Sequence, residues 1–401
     1  MTAVSTDTTG LPAFPGEHNA RCPFDPPGEY TQWRKTVGLR RAVWKDTPVW
    51  VVSRHEDIRA ALADHRMSAD TGELQSFSGI DNPPPVFPRM DDPEHARLRR
   101  MFTKDFTVKR VNSMRPQIEK MAHQFIDQLI SKGHPADLVR DYALPIPSLV
   151  ISLMLGVPYK DHEFFQRHST TMSTIHATKE DKGEAAFALF GYLQDLVARK
   201  EAEPGDDLIS RVLREHVATD ELDRVALVMN GLILLFAGHE TTANAIALAT
   251  LALLRNPDQA ARMRETDDPA VLATAVEELL RYLPIVHALV ARIAKDDVEI
   301  AGQHIKAGEV LLMNLPAGNR DAAFVPDPDT LYLDRHARGH LGFGYGIHQC
   351  LGQTLARAEM QVALPVLLRR LPDLRLAVPF EELRFRHDMN IYGVHELPVA
   401  W

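Results

Sequence analysis

The ten residues Phe343-Gly344-Tyr345-Gly346-Ile347-His348-Gln349-Cys350-Leu351-Gly352 carry more information than any other stretch of this chain. Three glycines surround a single cysteine immediately before a predicted helix, Gln353 to Arg370. Glycine adopts positive φ readily and lets a flat ligand approach the backbone, because it has no Cβ. A cysteine at the N-terminus of a helix faces aligned N–H dipoles, which favour its thiolate. The stretch therefore predicts a thiolate held close to a flat ligand.

A thiolate in this position is a good axial ligand for haem iron, and it donates electron density that favours cleavage of an O–O bond. The loop resembles the Phe-Gly-x-Gly-x-His-x-Cys-x-Gly signature of the cytochrome P-450 superfamily and matches it at every fixed position. A glycine-rich turn with a buried cysteine is a poor alternative for so long a match. The resemblance implies haem b, with the thiolate of Cys350 on the iron. The other haem-binding residues that it implies in this loop are Phe343, Gly344, His348 and Gly352.

The resemblance also implies a mainly α fold with small β-sheets, a triangular helical prism whose long central helix crosses the haem. The chain has 401 residues and no linker-like tract, so we expect one haem domain over 1–401, with 1–20 as a flexible segment. A net charge of −9 without a basic tract argues against nucleic-acid binding. Two cysteines exclude a disulfide framework and fit the cytoplasm.

Neither a secretion signal nor a membrane span is predicted. The first ten residues are polar and contain no apolar core. The longest apolar stretch, Val225–Phe236, is shorter than the roughly 20 residues of a membrane span and contains Asn230. We therefore expect a soluble, monomeric protein, similar to the bacterial members of the superfamily.

The hydrophobic pattern predicts a largely helical chain with two strand-rich regions. A helix is expected over Tyr30–Arg41 and a hairpin over Val43–Val52. Residues 67–89 are turn-rich, and helical periodicity then continues to about residue 282. A second strand-rich region is expected over Val298–Leu312.

The longest predicted helix runs from Glu221 to Arg255 and ends before Asn256-Pro257. Its length would be about 50 Å at 1.5 Å per residue. Since it is apolar on most faces, we expect it to cross the centre of the molecule. Pro365 is expected to kink or end the helix that follows Cys350.

Inside the long helix lies the polar segment Ala237-Gly238-His239-Glu240-Thr241-Thr242. Ala237 and Gly238 leave room for a ligand against the backbone, and the Thr241 hydroxyl can bond back to a carbonyl and open a groove for water. The segment is similar to the family's Ala/Gly-Gly-x-Asp/Glu-Thr-Thr segment over the distal face of haem. The resemblance implies that Thr241 assists oxygen activation and that Glu240 gates protons, which O–O cleavage requires. A polar patch satisfied within the fold is the alternative.

The carboxylates of haem need basic partners, and four residues match the family's positions for this role. His95 and Arg99 are spaced i, i+4 on one helical face. Arg292 and His348 complete the set, and an arginine fork suits a carboxylate. The resemblance also gives Glu278, Arg281 and Arg335 a structural role, because they match the family's Glu-x-x-Arg pair and its third partner.

Substrate contacts follow only from positions carried over from the family. Those positions are Val86, Phe87, Leu234, Leu235, Val286, His287, Leu289 and Ile391. They are mostly apolar, which favours an apolar or amphipathic small molecule. The carboxyl-terminal segment Ile391–Val399 is similar to actinomycete enzymes of secondary metabolism and xenobiotic oxidation, and Arg89 and His287 are candidate polar anchors.

The chain has no flavin or iron–sulfur domain, so electrons derived from NAD(P)H must come from a separate ferredoxin and ferredoxin reductase. Arg97, Arg100 and Lys104 share one helical face and are candidates for docking an acidic ferredoxin, with a solvated face as the alternative. Three functions stay open at this point. They are a monooxygenase that uses O2 to hydroxylate or epoxidise its substrate, a peroxide-driven peroxygenase, and a non-catalytic haem sensor.

Overall fold

The computed structural model describes residues 8–17, 22–36, 38–72 and 86–401. Helices α1 to α13 span Glu29–Lys35, His55–Ala63, Glu94–Thr103, Val108–Lys132, Pro145–Leu155, His162–Ser173, Lys179–Ala202, Leu208–Val212, Arg224–Leu254, Pro257–Glu265, Pro269–Tyr282, Leu315–Asn319 and Gln353–Arg370. Strands β1 to β10 span Arg40–Trp44, Thr47–Val52, Met67–Ser68, Ala136–Asp137, Ala291–Ala294, Val298–Ile300, Gln303–Ile305, Val310–Met313, Arg375–Leu376 and Pro398–Ala400. The expectation of a mainly α fold with small sheets is confirmed.

The strands form a five-stranded sheet, β1-β2-β8-β5-β3, a three-stranded sheet, β4-β10-β9, and the hairpin β6-β7. Both predicted strand-rich regions are confirmed. The β1–β2 turn has positive φ at Lys45 (47°) and Asp46 (61°), the conformation that matches the twist of a two-residue hairpin. The remainder of the turn-rich prediction, residues 73–85, lies outside the described residues.

The predicted helix over Tyr30–Arg41 is wrong beyond Lys35. Gly38 has φ of +88°, which ends helical geometry, and Arg40 pairs with Val51 in the sheet. Tertiary strand pairing therefore overrides the helical pattern at the end of the predicted segment.

The central helix α9 confirms the prediction to within three residues at its start and one at its end. The Asp223 side chain caps it by accepting a hydrogen bond from the Ala226 N–H at 2.7 Å. By length and composition alone α9 could cross a membrane, but most of it is buried against other helices, including α5, α7 and α13. It is thus the core helix of the fold, and its polar residues require partners inside the protein.

Helix α13 has the predicted bounds and continues to Arg370, so Pro365 does not end it. Proline removes one backbone donor and crowds the preceding turn. Its neighbours Ala363, Leu364 and Leu367 are fully buried, and α13 packs along α4. This burial holds the helix together across the proline.

Glu278, Arg281 and Arg335 form the ion-pair cluster that the family resemblance implies. Arg281 holds the fully buried Glu278 carboxylate through Nε at 2.7 Å and Nη2 at 2.8 Å. The Arg335 Nε lies 3.1 Å from Glu278 Oε1, and the Tyr332 N–H donates to the same oxygen at 3.0 Å. These bonds join α11 to the segment that leads into the cysteine loop.

Arg320 is a second buried cation on this side of the fold, and sequence reasoning did not identify it. It is fully buried, 3.9 Å over the Tyr282 ring, and it bonds to Asp329 at 3.1 Å and to the carbonyls of Phe24 and Tyr282. It therefore connects the amino-terminal segment to the end of α11.

Candidate functional site

The cysteine loop is closed by its own backbone hydrogen bonds. The Cys350 N–H donates to the Phe343 carbonyl at 2.9 Å, and the Gln349 N–H donates to the Gly346 carbonyl at 3.0 Å. Gly344 and Gly346 have φ of +68° and +75°. A Cβ at Gly346 would lie 2.6 Å from the Leu62 carbonyl oxygen, so this glycine is required by close packing on α2 as well as by its backbone angle.

Cys350 lies three residues before α13, at the position the sequence predicts. The residue is accessible to solvent although its thiol lies deep in the protein, so it lines a recess. Burial raises the pKa of the Cys350 thiol, whereas the Gly352 N–H and the charges of Arg99 and Arg357 act to lower it. The surroundings of the thiol thus carry the donors and the cations that a thiolate needs.

An ion-pair cluster that the sequence analysis missed holds Phe343 in place. Arg357 of α13 lies 4.5 Å over the Phe343 ring and pairs with Glu277 of α11. The His340 Nε2 lies 3.3 Å from the same carboxylate. Burial acts to raise the pKa of Glu277, but hydrogen bonds from His340 and Arg357 outweigh it and lower the pKa to about 2. The start of the cysteine loop is therefore fixed by charge as well as by packing.

The four basic residues predicted for haem binding come together beside this loop. His95 and Arg99 extend from α3, Arg292 from β5 and His348 from the loop itself. The His95 and His348 rings stack with centroids 4.0 Å apart, and the Arg99 Nη2 donates to the Gln349 carbonyl at 2.5 Å. Three separate elements thus bring their basic groups to one place.

This basic cluster is largely buried and has little acidic compensation: His95 Nδ1 lies 3.1 Å from the Asp92 carboxylate, and this is the only ion pair that the four residues form in the described ranges. Burial lowers the pKa of Arg292 to about 10, and burial with the charges of Arg292 and His95 lowers the pKa of His348 to about 3. His95 Nε2 and His348 Nδ1 have no hydrogen-bond partner, and neither Arg99 nor Arg292 forms an ion pair, within the part of the chain that the structure describes. Buried cations and orphaned donors of this kind fit a ligand that brings two negative charges.

Together these groups fit haem. The glycine loop admits a flat ring, Cys350 offers a thiol to its centre, and the basic cluster can pair with its two carboxylates. The set His95, Arg99, Arg292, Phe343, Gly344, His348, Cys350 and Gly352 is therefore spatially consistent with one haem site.

One face of α9 opens where the sequence changes from apolar to small and polar. Ala237 is exposed and Thr241 is half-buried, whereas most other residues of α9 are buried. The Thr241 hydroxyl donates to the Ala237 carbonyl at 2.7 Å, the back-bond that the sequence predicts. Gly238 has a different reason to be glycine, because a Cβ there would lie 2.7 Å from Ile151 of α5.

Glu240 lies on another face of α9 and has an ion-pair partner that the sequence did not reveal. Its carboxylate is buried, 3.1 Å from the Arg386 Nη2 and 3.5 Å from the Thr170 hydroxyl of α6. Arg386 is 146 residues away in the chain, so no local pattern could indicate this contact.

The predicted substrate residues do not all lie together. Val286 and Ile391 pair in an isolated bridge, and Leu234 lies about one turn before Ala237 on α9. Val86 and Leu289 are half-buried. Leu234 is thus next to the open face of α9, and Val286 and Ile391 lie together in their bridge.

Three other residues predicted to contact the substrate lie in different parts of the structure. Phe87 stacks in the core on Phe102, with ring centroids 5.7 Å apart. Leu235 lines a small cavity between α9, α5 and α6. His287 lines a separate cavity near the amino terminus and bonds through Nε2 to the Pro284 carbonyl at 2.9 Å, and burial lowers its pKa to about 4.

Arg97, Arg100 and Lys104 form the candidate docking face for a ferredoxin. Acidic neighbours neutralise part of its positive charge. Arg97 pairs with Glu94 at 2.8 Å, and Lys104 pairs with Glu215 at 2.6 Å. Arg100 is exposed and forms no ion pair in the described ranges. Arg89, the other candidate anchor, contacts the Gly72 carbonyl.

Comparison with known proteins assigns this arrangement to one family. The family model for Cytochrome P-450 matches residues 178–372. The chain is 51% identical to Cytochrome P-450-SU2 of Streptomyces griseolus, with 100% of both chains covered. It is 42% identical to pentalenic acid synthase of Streptomyces avermitilis, again with 100% of both covered.

A solved structure is similar over almost the whole chain. It is the mycinamicin VIII C21 methyl hydroxylase MycCI of Micromonospora griseorubida bound to mycinamicin VIII. Its TM-score is 0.91 at 39% sequence identity, and the match covers 98% of this chain and 100% of that one. The fold is therefore shared along the full length.

We predict that Arg99→Ala and Arg292→Met weaken haem binding roughly tenfold to a hundredfold, the usual value of a hydrogen bond to a charged group. In haem-free protein, Arg292→Met should leave thermal stability unchanged or raise it, because it removes a buried cation that forms no ion pair within the described residues. Haem per polypeptide and the melting temperature of the haem-free protein measure the two effects. Arg100→Ala, exposed on the same helix, is the matched control, and full haem occupancy in both variants would contradict the assignment.

Proposed function

The chain belongs to the cytochrome P-450 family, and we propose that it is a haem-thiolate monooxygenase that oxidises an apolar or amphipathic small molecule with electrons from a ferredoxin and its reductase. Family membership establishes an oxidoreductase that incorporates oxygen, with haem-thiolate iron. The electron donor, the substrate and the role of each residue are the proposal. The observation that carries it is the thiol of Cys350 beside a largely buried basic cluster whose two arginines form no ion pair in the described ranges.

We assign the iron ligand to Cys350 because it lies in the glycine loop with two arginines near its thiol, whereas the group near the other cysteine, Cys22, is a carboxylate. Burial and the nearby Asp25 carboxylate both raise the pKa of Cys22. At Cys350 the charges of Arg99 and Arg357 and two backbone N–H groups oppose the effect of burial. When bound, haem supplies the redox chemistry that splits the O–O bond, and a thiolate ligand favours that step.

The protein residues then have to bring protons to the open face of α9. Thr241 is suited to this because its hydroxyl, held by the Ala237 carbonyl at 2.7 Å, can accept a hydrogen bond on the open face. Glu240 is the nearest acid in the chain and exchanges protons with solvent in the proposal. A proton supply is needed for oxygen as the oxidant, which favours the monooxygenase over a peroxygenase or a sensor.

The substrate class is inferred from the pocket and from the relatives. Leu234 beside the open face of α9 and the paired Val286 and Ile391 are apolar, which favours an apolar surface on the substrate. The similar proteins include a pentalenic acid synthase and a hydroxylase of mycinamicin VIII. We propose hydroxylation or epoxidation of a secondary metabolite or a xenobiotic of comparable polarity.

Replacing Cys350 with His tests the ligand assignment directly. The variant should still bind haem through the basic cluster, but its reduced carbon monoxide complex should lose the red-shifted Soret band that a thiolate ligand produces. Cys22→Ser is the matched control and should keep the band. Persistence of the band in Cys350→His would rule out Cys350 as the ligand.

Thr241→Ala and Glu240→Gln test oxygen activation. Thr241→Ala should leave haem content and reduction intact, lower the product formed per NAD(P)H and raise peroxide release. Glu240→Gln should slow turnover by roughly a hundredfold, at the low end for a positioned proton-transfer group, with a changed solvent isotope effect. Thr242→Ala, at the neighbouring hydroxyl, is the control. Unchanged product and peroxide yields in both variants would favour the peroxygenase, and no turnover of any substrate with a competent donor would favour the sensor.

We also propose that an acidic ferredoxin docks on the face formed by Arg97, Arg100 and Lys104. Because Arg97 and Lys104 already have acidic partners, Arg100 should contribute most of the steering charge. First reduction by ferredoxin should slow as salt rises, since the Debye length is about 8 Å at 0.15 M salt. Arg100→Glu should slow it further, whereas Lys160→Glu between α5 and α6 should not. Salt-independent reduction in a stopped-flow measurement would indicate a different docking surface.

A further inference from the structure

The loop 384–396 near the carboxyl terminus is bonded to the end of α6. The Asn390 N–H donates to the Ser173 carbonyl at 2.9 Å, and the Ile175 N–H donates to the Asp388 carbonyl at 2.8 Å. Within the loop, the Arg386 N–H donates to the Gly393 carbonyl at 2.9 Å. The loop and the end of α6 are therefore one connected layer over α9.

Arg386 joins this layer to α9. Its Nη2 lies 3.1 Å from Glu240 Oε2, and its Nη1 donates to Asn244 Oδ1 at 3.1 Å. Asn244 in turn donates to the Glu240 backbone carbonyl at 2.7 Å. The Arg386 side chain is 11% exposed and that of Glu240 is 5% exposed, so the pair is shielded from water. A shielded charge pair is much stronger than a surface pair, and breaking it by removing one member is costly.

No other cation compensates Glu240 within the described ranges. Arg386 is its one ion-pair partner there, and the Thr170 hydroxyl at 3.5 Å adds only a weak neutral contact. His239, the neighbouring basic residue, bonds to the Leu235 carbonyl at 2.8 Å through Nδ1, and burial lowers its pKa. The charge and the position of the Glu240 carboxylate thus depend on Arg386.

One acceptor and one donor of the Glu240–Arg386 ion pair lack a hydrogen-bond partner in the described structure. Glu240 Oε2 and Arg386 Nε are buried and have no well-aligned hydrogen-bond partner in the described structure. The guanidinium therefore holds the carboxylate by charge, while an acceptor lone pair and a donor stay available beside it. Buried polar atoms of this kind are commonly bridged by ordered water, which would extend the pair toward solvent.

We propose that Arg386 is a positioning residue for proton delivery by Glu240, and that it does so by holding the Glu240 carboxylate to the layer formed by loop 384–396 and the end of α6. The inference rests on the proposed role of Glu240. The same loop carries Ile391, which pairs with Val286, and the Tyr392 N–H donates to the Ile285 carbonyl at 2.9 Å. The loop that holds Arg386 is therefore fixed at this point as well as at the end of α6.

The test is a double-mutant cycle between Arg386→Met and Glu240→Gln, with Arg386→Lys as the conservative variant. Arg384→Met is the matched control, because Arg384 lies in the same loop but is exposed and 3.6 Å from the exposed Glu396. The first readout is the midpoint of urea unfolding of the haem-loaded protein. Arg386→Met should lower the midpoint by leaving a buried charge unpaired, and adding Glu240→Gln should restore most of the loss.

The second readout is the rates of NADPH consumption and peroxide release, with the solvent isotope effect on each. They are measured with 7-ethoxycoumarin as the probe substrate and with a plant-type ferredoxin and its reductase as the electron donor. Arg386→Met should slow NADPH consumption roughly tenfold, a part of the hundredfold or more that a positioned proton donor contributes. It should shift the isotope effect in the same direction as Glu240→Gln. The double variant should be no slower than Glu240→Gln, and Arg386→Lys should recover most of the rate.

The outcomes separate the two hypotheses. If Glu240→Gln changes the isotope effect but Arg386→Met does not, the positioning role is wrong while the role of Glu240 stands. If Glu240→Gln itself has no effect, the proposed proton route fails first. Additive effects of the two substitutions on unfolding and on rate would also overturn the inference, since they would show that Arg386 acts independently of Glu240.

Discussion

The constraint on which the rest of the structure depends is a largely buried cluster of bases with a single acidic partner, Asp92, among the described residues. His95, Arg99, Arg292 and His348 lie beside Cys350, and burial lowers the pKa of each of these four bases. A protein that folded for stability alone would not keep such a cluster, because each desolvated cation costs free energy until an anion arrives. Binding of a dianionic ligand therefore removes this unfavourable free energy. The surrounding fold must be rigid enough to hold the four bases in place until the ligand binds.

That rigidity comes from ion pairs that are compensated within the protein. Glu278 with Arg281 and Arg335, and Glu277 with Arg357 and His340, fix the two sides of the segment that leads into the cysteine loop. The same helix, α11, carries both glutamates in adjacent positions, and adjacent residues on a helix point about 100° apart. One helix can thus hold two separate clusters, one toward the chain before the loop and one toward α13 behind it.

The sequence predicts correctly those elements that are determined by neighbouring residues. It does not predict the contacts between residues that are far apart in the chain. The bounds of α13 and α9 and the two hairpins follow from periodicity, caps and turn residues, all within a few positions of one another. The end of α1 at Lys35 was missed because strand pairing of Arg40 with Val51 decides it. Arg320, Arg357 and Arg386 were missed because each takes its acidic partners from the fold, and an isolated arginine in a helix or loop has no pattern that identifies a buried role.

The two polar residues at the centre of α9 illustrate the same limit. Glu240 and Thr241 are adjacent in sequence, which suggests that they act on one ligand from one side. On a helix they point about 100° apart, and the structure separates their environments accordingly. Thr241 lies on the open face with its hydroxyl on the Ala237 carbonyl, whereas Glu240 lies in a buried pair with Arg386. A proton that passes from one to the other must go around the helix, so the position of the Glu240 carboxylate, which Arg386 holds, determines whether protons reach the face of Thr241.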